Sequence, residues 1–175
     1  MHGDYVITGG PCCGKSTLIK ALEKRGFTIV PEAATEVIEE QLHINGTALP
    51  TKDNYRFQVL LAERQIPREN RGDMKPRFLD RSIVDSAGYC TYQGTPLPSI
   101  VLEGIHAARY SAVFFLEQLP FYENNKVRWE NAEQARQLSG FIYGSYVKHG
   151  FIPIKIPATP LEHRIEEVLR HVKRT

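Results

Sequence analysis

A glycine-rich segment near the start of the chain carries the residue types that bind phosphate. Residues 9–17 read GGPCCGKST, a glycine, four residues and then Gly14, Lys15 and Ser16. Glycines let the backbone wrap around phosphate oxygens, a lysine supplies positive charge to the outer phosphates, and a serine hydroxyl binds Mg2+. The segment predicts a site for ATP or GTP and Mg2+, formed by Gly9, Gly10, Pro11, Cys12, Cys13, Gly14, Lys15, Ser16 and Thr17. The alternative is a glycine-rich turn that binds nothing.

Two further segments offer carboxylates and a cation. Glu32 lies in VPEAA, and Asp80 precedes Arg81 in FLDRS. Because a glutamate is ionised at neutral pH, Glu32 could accept a proton from a hydroxyl group; Asp80 competes for this role or could hold Mg2+ together with Ser16. Arg81 could neutralise charge on a phosphate during its transfer. The alternative for Glu32 is a structural ion pair with an arginine such as Arg64.

The hydrophobic pattern around these segments alternates between strands and helices. Short apolar runs predict strands over residues 4–8, 27–30, 77–80, 111–117 and 151–157, with helices between them. This alternation predicts a parallel sheet of about five strands with helices on both faces, a three-layer α/β fold. Ligands of such sheets bind beyond the carboxyl ends of the strands, so residues 9–17, Glu32 and Asp80 should converge there.

Prolines and a threonine set several expected boundaries. Pro67 should kink or end a helix that starts near residue 52. Pro153 and Pro157 favour an edge position for the last strand, or a place at its ends for the prolines themselves. Thr159 is expected to cap the last helix, with Pro160 at its first position.

The composition fits one domain spanning residues 1–175. Hydrophobic residues make up 42% of the chain, enough for a sizeable core, and no apolar run reaches the roughly 18 residues of a membrane span. The 22 Lys and Arg nearly balance the 20 Asp and Glu, so the bulk charge does not favour nucleic acid as a partner. Without a secretory signal we expect a cytoplasmic monomer or homodimer whose three cysteines are reduced thiols.

Other classes of nucleotide-binding protein lack their signatures here. TKDN, residues 51–54, is one residue out of register for a guanine-binding motif and follows no strand, and DSAG, residues 85–88, falls inside a predicted helix. A motor-type ATPase requires paired acids after an apolar run, whereas Asp80 is followed by Arg81. These features and the short chain favour a small-molecule kinase.

In combination, GGPCCGKST, VPEAA, FQVLLAER and FLDRS, with a basic segment before the last strand, resemble the small P-loop proteins labelled AAA domain. That group is similar to ribosylnicotinamide kinase and, more distantly, to deoxynucleoside kinases. The resemblance implies transfer of a γ-phosphate to a hydroxyl of a nucleoside-like small molecule. It makes Glu32 the base for the accepting hydroxyl, Phe57 and Gln58 the pair that reads a nucleobase, and Arg81 a contact to hydroxyl and phosphate.

The sequence departs from that family at three places. The arginine expected seven residues after Gln58 is Gln65, so its role is not carried over, and Arg64 remains only a candidate for substrate binding. The acid after the Arg-Ser pair is displaced to position 85. The basic segment before the last strand is expected to form a lid over the phosphates, but it lacks the repeated arginines of that family and offers Lys126, Arg128 and Arg136 instead. Arg128 is the better phosphate ligand because a guanidinium binds phosphate bidentately; the alternative is a solvated loop. A polynucleotide kinase and a nucleotide-dependent switch acting on a protein partner remain alternative functions.

Overall fold

A computed structural model describes residues 3–71, 76–119 and 129–172 and shows five strands and seven helices there. The strands are β1 Asp4–Thr8, β2 Thr28–Val30, β3 Arg77–Asp80, β4 Ala112–Leu116 and β5 Ile154–Ile156. The helices are α1 Lys15–Lys24, α2 Ala34–His43, α3 Asn54–Asn70, α4 Ile83–Tyr92, α5 Ser99–Ala107, α6 Trp129–Lys148 and α7 Leu161–Val172.

The five strands form one parallel sheet in the order β2-β3-β1-β4-β5. In this register Ile7 of β1 lies opposite Asp80 of β3 on one side and Phe114 of β4 on the other. The predicted α/β fold is confirmed, and so is the edge position of the last strand. The order places β2, β3 and β1 side by side, and their carboxyl ends lead into the segments predicted to do chemistry.

Alternating side chains of each strand build a core on both faces of the sheet. On β1, Val6 packs with the helices α4 to α6, whereas Tyr5 and Ile7 pack on the opposite face against α1 and α7. The residues of the first core include Leu79, Val84, Ile105, Ile142 and Tyr146, and those of the second include Leu18, Leu22, Phe78, Phe114, Ile165 and Val168. Helices therefore cover both faces, and the loops at the carboxyl ends of the strands lie between these two layers.

Two helix boundaries differ from the expectation. Of the two alternatives for Pro67, a kink or an end of the helix, the end is wrong, since α3 continues to Asn70; there the guanidinium of Arg77 donates to the carbonyl oxygens of Arg68 and Glu69 and so satisfies acceptors at the end of the helix. Helix α7 starts one residue later than predicted. Its first intrahelical bond runs from the amide of Arg164 to the carbonyl of Pro160, which makes Pro160 the cap rather than the first helical residue.

No helix within the described ranges is both long and apolar enough to span a bilayer.

Candidate active site

The phosphate loop connects β1 to α1 and depends on glycine at two positions. Gly9 and Gly14 have φ angles of 145° and 82°, which favour glycine. A Cβ at Gly9 would lie 2.6 Å from the carbonyl oxygen of Leu116, and one at Gly14 would lie 2.8 Å from Nη1 of Arg164. Gly14 is also the N-cap of α1 and brings no side chain to bond the first-turn amides, so these amides remain available to an anion.

The two cysteines of the loop lie in different surroundings. Cys12 is exposed and has a left-handed φ of 56°, whereas Cys13 is buried and packs in the core beneath the loop. Residues 9–14 thus form the predicted loop between β1 and α1, with Cys12 exposed in it.

Lys15 folds back over the loop. Its Nζ donates to the carbonyl oxygens of Gly9 at 3.1 Å and Gly10 at 2.8 Å and lies 3.4 Å from the Sγ atom of Cys13. Burial, together with the nearby charge of Arg81, lowers the pKa of Lys15. The charged form of Lys15 is therefore destabilised in the folded protein, and an anion bound in the loop would stabilise it.

Arg81 is the charged centre beside the loop. It follows β3 with a left-handed φ of 64°, and its backbone amide still pairs with the carbonyl of Ile7 at 3.0 Å. The guanidinium contacts a carboxylate on either side, since Nε lies 3.2 Å from Oε2 of Glu32 and Nη1 lies 2.9 Å from Oδ1 of Asp85. Burial lowers the pKa of Arg81, but Asp85 first and then other neighbours outweigh it, so the net pKa is raised and the group stays cationic.

Asp85 holds this centre together, although no role was predicted for it. Its Oδ1 accepts from Oγ1 of Thr8 at 2.6 Å and from Arg81, and its Oδ2 accepts from the amide of Ser82 at 3.1 Å and from the hydroxyl of Tyr146. Ser82 and Asp85 form a capping box at the start of α4. The spacing of a serine and an acid three residues later was the signal that could have identified the pair.

Asp80 and Ser16 are the oxygen ligands predicted for Mg2+. Burial and the neighbouring Glu32 raise the pKa of Asp80 to about 6, although Arg81 and Lys15 act in the opposite direction. No described residue donates a hydrogen bond to the Asp80 carboxylate, so its oxygens are available to a cation. Within the described ranges no three His, Cys, Asp or Glu residues group as a metal cage, and Mg2+ characteristically needs only one or two carboxylates plus phosphates and waters. The donor set therefore fits Mg2+.

A cavity of about 220 Å³ opens beside Arg81 and is the candidate acceptor site. It is lined by four residues predicted from the sequence, Glu32, Phe57, Gln58 and Arg81, together with Ala33, Ala34, Ile38, Pro50, Asn54, Leu61, Gln65, Ser82, Asp85, Ser86, Tyr89 and Gln93. The amide of Gln58 is only 2% exposed. Its Nε2 donates to Oδ1 of Asn54 at 3.3 Å, whereas its Oε1 finds no partner among the described residues.

One predicted residue, Arg64, lies elsewhere, and two others cannot be compared with the cavity. Arg64 does not line this cavity, because its guanidinium pairs with Glu40 of α2. The predicted alternative for Glu32, an ion pair with Arg64, is therefore replaced by the pair with Arg81. Lys126 and Arg128 lie outside the described residues.

Arg164 of α7 is a second residue that the sequence did not single out. Its Nη2 donates to the carbonyl of Cys13 at 2.9 Å, and its Nη1 occupies the space that a side chain at Gly14 would need. Burial lowers the pKa of Arg164. The last helix thus supports the phosphate loop through Arg164. Nothing in the sequence indicated this contact, because Arg164 is far from the loop along the chain.

Comparisons with known proteins agree with this architecture. Residues 4–164 match the protein family described as AAA domain, and the chain belongs to that family. In structure it is similar to thymidylate kinase from Ehrlichia chaffeensis, with a TM-score of 0.68 and 12% identity over 97% of this chain and 98% of that one. It is also similar to the NadR protein in complex with NR, with a TM-score of 0.71 and 16% identity over 98% of this chain and 51% of that one, so it spans about half of NadR. Curated protein sequences give no match.

The family and the structural likeness confirm the P-loop fold and its kinase-like architecture. A P-loop domain implies binding of a nucleoside triphosphate.

Proposed function

We propose that the protein transfers the γ-phosphate of ATP or GTP, with Mg2+, to a hydroxyl group of a nucleoside-like small molecule. The observation that carries this proposal is a cavity next to the phosphate loop that combines the Glu32–Arg81 pair with the unpartnered amide oxygen of Gln58. A hydrolase that passes phosphate to water has no need of such a pocket. Thymidylate kinase, to which the fold is similar, acts on a nucleoside monophosphate, and this supports an acceptor that contains a nucleoside but not the choice of a hydroxyl over a phosphate.

The charges of the cavity favour a hydroxyl over a phosphate as the acceptor. Among the described lining residues the one cation is Arg81, and it is already shared by the carboxylates of Glu32 and Asp85. An acceptor that carries a phosphate would bring negative charge to a site where acids outnumber bases. A neutral nucleoside, or one with a cationic ring, avoids that repulsion.

The apolar lining of the cavity and Gln58 favour a ring that carries an N–H donor. Phe57, Leu61 and Ile38 provide apolar walls, and Oε1 of Gln58 offers an acceptor that has no partner. A buried acceptor left without a donor costs about 1–3 kcal/mol, so an amide or amino group on the ring would be selected over a ring that lacks one.

The chemistry divides between the phosphate loop, which binds the donor, and the cavity, which binds the acceptor. Lys15 and the loop amides bind the phosphates of the donor, and Mg2+ held by Ser16 and Asp80 would neutralise charge on the transferred group. Glu32 accepts the proton of the acceptor hydroxyl as the new bond forms, and Asp80 is the competing candidate. Arg81 contacts the phosphate loop at Gly9 and also lines the cavity, so it stabilises negative charge on the phosphate as it is transferred. Lys126 and Arg128, predicted from the sequence as phosphate ligands, would add positive charge at the phosphates.

The test is transfer of labelled γ-phosphate to nucleosides, to the matching nucleoside monophosphates and to 5′-hydroxyl oligonucleotides. We expect one nucleoside to be phosphorylated and its monophosphate to be ignored. Glu32→Gln should lower kcat, whereas the control Glu162→Gln should not, because Glu162 pairs with Arg25 at the surface and does not line the cavity. Transfer to monophosphates alone would refute the hydroxyl acceptor. Salt-sensitive transfer to oligonucleotides would favour a polynucleotide kinase.

A further inference from the structure

Glu32 lies on a short turn between β2 and α2, and side chains of α3 hydrogen-bond to the backbone of this turn. Oε1 of Gln65 accepts from the amide of Ala33 at 3.1 Å, and Nη1 of Arg68 donates to the carbonyl of Glu32 at 3.3 Å. Both polar groups of the peptide bond between Glu32 and Ala33 are therefore bonded to side chains of one helix. The turn is a connection of three residues, and these contacts limit where its carboxylate can lie.

The orientation of the Gln65 amide is fixed by its two partners. The amide of Ala33 can only donate, so the oxygen of Gln65 must face it. Nε2 then faces Oε1 of Glu69, to which it donates at 2.9 Å. Gln65 is only 2% exposed, so neither group has water as an easy substitute.

Glu69 continues the connection to the other side of the cavity. The same Oε1 atom accepts from the amide of Ile83, the first residue of α4, at 2.8 Å, and Oε2 accepts from the hydroxyl of Tyr110. Helix α4 also carries Asp85, the partner of Arg81. A continuous buried path of hydrogen bonds thus joins the turn that bears Glu32 to the helix that anchors Arg81.

We propose that Gln65 and Glu69 are positioning residues that hold Glu32 at a fixed place relative to Arg81 by tying the turn after β2 to the start of α4. The inference rests on the proposed function for its catalytic consequence. Gln65 occupies the position at which the resemblance predicts an arginine. In the structure it is buried and hydrogen-bonds to both Ala33 and Glu69. Since the phosphate loop takes no part in this path, the effect falls on the acceptor end of the site.

The first test does not depend on activity. In Gln65→Met the amide of Ala33 loses its acceptor, and we expect its hydrogen exchange, followed by NMR in the full-length protein, to accelerate by about tenfold or more. Gln41→Met is the matched control, because Gln41 is also buried and its Oε1 accepts from the amide of Ala48, away from the cavity lining. Unchanged exchange at Ala33 in Gln65→Met would overturn the inference.

The second test uses the nucleoside that the transfer assay identifies, at a temperature where every variant is folded. Gln65→Met should lower kcat by about tenfold to a hundredfold while the dissociation constant of ATP stays near that of the wild type, because a shift of about 1 Å at a reacting group costs rate rather than donor binding. Glu69→Leu should behave in the same way. Glu69→Gln should retain most of the activity, since an amide oxygen can still accept from Gln65 and Ile83.

The outcomes separate the two proposals. Equal losses of kcat in Gln65→Met and Gln41→Met, or a parallel loss of ATP binding, would mean a general structural role and would overturn the inference. If the wild type phosphorylates no nucleoside, the proposed function fails, and the exchange of the Ala33 amide alone then decides whether Gln65 holds the turn.

Discussion

Replacing Asp85 by Asn tests the buried charge cluster that organises the candidate site. The Asp85 carboxylate accepts four hydrogen bonds, two at each oxygen, from Thr8 and Arg81 and from Ser82 and Tyr146. An amide has one oxygen and one NH2 group, so either the guanidinium of Arg81 or the amide of Ser82 would face another donor, whereas the hydroxyl on the same side can turn to accept. The guanidinium of Arg81 would keep Glu32 as its one carboxylate among the described residues.

The expected loss of stability follows from these contacts. Removing one partner of a buried ion pair costs about 3–5 kcal/mol, and a buried donor left unsatisfied costs about 1–3 kcal/mol. Because Arg81 keeps Glu32, the lower end applies, and we expect Asp85→Asn to lower the free energy of unfolding by about 3 kcal/mol. For a chain of this size that corresponds to a fall in Tm of roughly 6–12 °C.

The assay is urea unfolding and thermal melting at neutral pH, with Glu133→Gln as the control. Glu133 pairs with Arg136 on the exposed side of α6, where such pairs contribute little, so its loss should change stability by less than about 1 kcal/mol. If Asp85→Asn were as mild as Glu133→Gln, Asp85 would not hold Arg81 in the way the structure indicates.

Two further changes test the site from other directions. Lys15→Met should abolish ATP binding measured by calorimetry without lowering Tm, since burial already disfavours the ammonium and lowers its pKa; a large fall in Tm would contradict this. Burial raises the pKa of Glu69 from 4.5 to about 7 despite hydrogen bonds from Tyr110 and Gln65, which act to lower it. The folded state therefore holds this proton more tightly, and the resulting stability is present below pH 4.5 and is lost as the pH rises through about 7. This contribution is on the order of 3 kcal/mol, so in urea unfolding between pH 5 and 8 the wild type should lose more stability than Glu69→Gln; parallel profiles would contradict it.

The sequence was sufficient for the fold and for the residues at the carboxyl ends of the strands. The alternation of apolar strands and amphipathic helices specified a parallel sheet, and parallel strands end at one edge. For that reason residues 9–17, Glu32 and Asp80 could be placed together before any contact was known. Phe57 and Gln58 came from the family resemblance, and the structure places both in the cavity beside Arg81.

Contacts between distant segments could not be predicted in this way. The hydrogen bond from Thr8 to Asp85 joins residues 77 positions apart, and the one from Arg164 to Cys13 joins residues 151 apart. No periodicity or spacing connects such residues, because each pair depends on how helices pack on the sheet. The continuation of α3 beyond Pro67 also depends on a contact between two elements, since Arg77 of β3 donates to the carbonyl oxygens at the end of the helix.

The most direct measurement of the central claim is the fate of the γ-phosphate in a reaction with ATP, Mg2+ and a mixture of free nucleosides. Mass spectrometry of the products identifies which molecule carries the phosphate. We expect one nucleoside to gain a phosphate at a hydroxyl group, and the product to be absent with Lys15→Met. Release of inorganic phosphate alone, with every nucleoside unchanged, would contradict the assignment of the cavity beside Glu32 and Arg81 as an acceptor site.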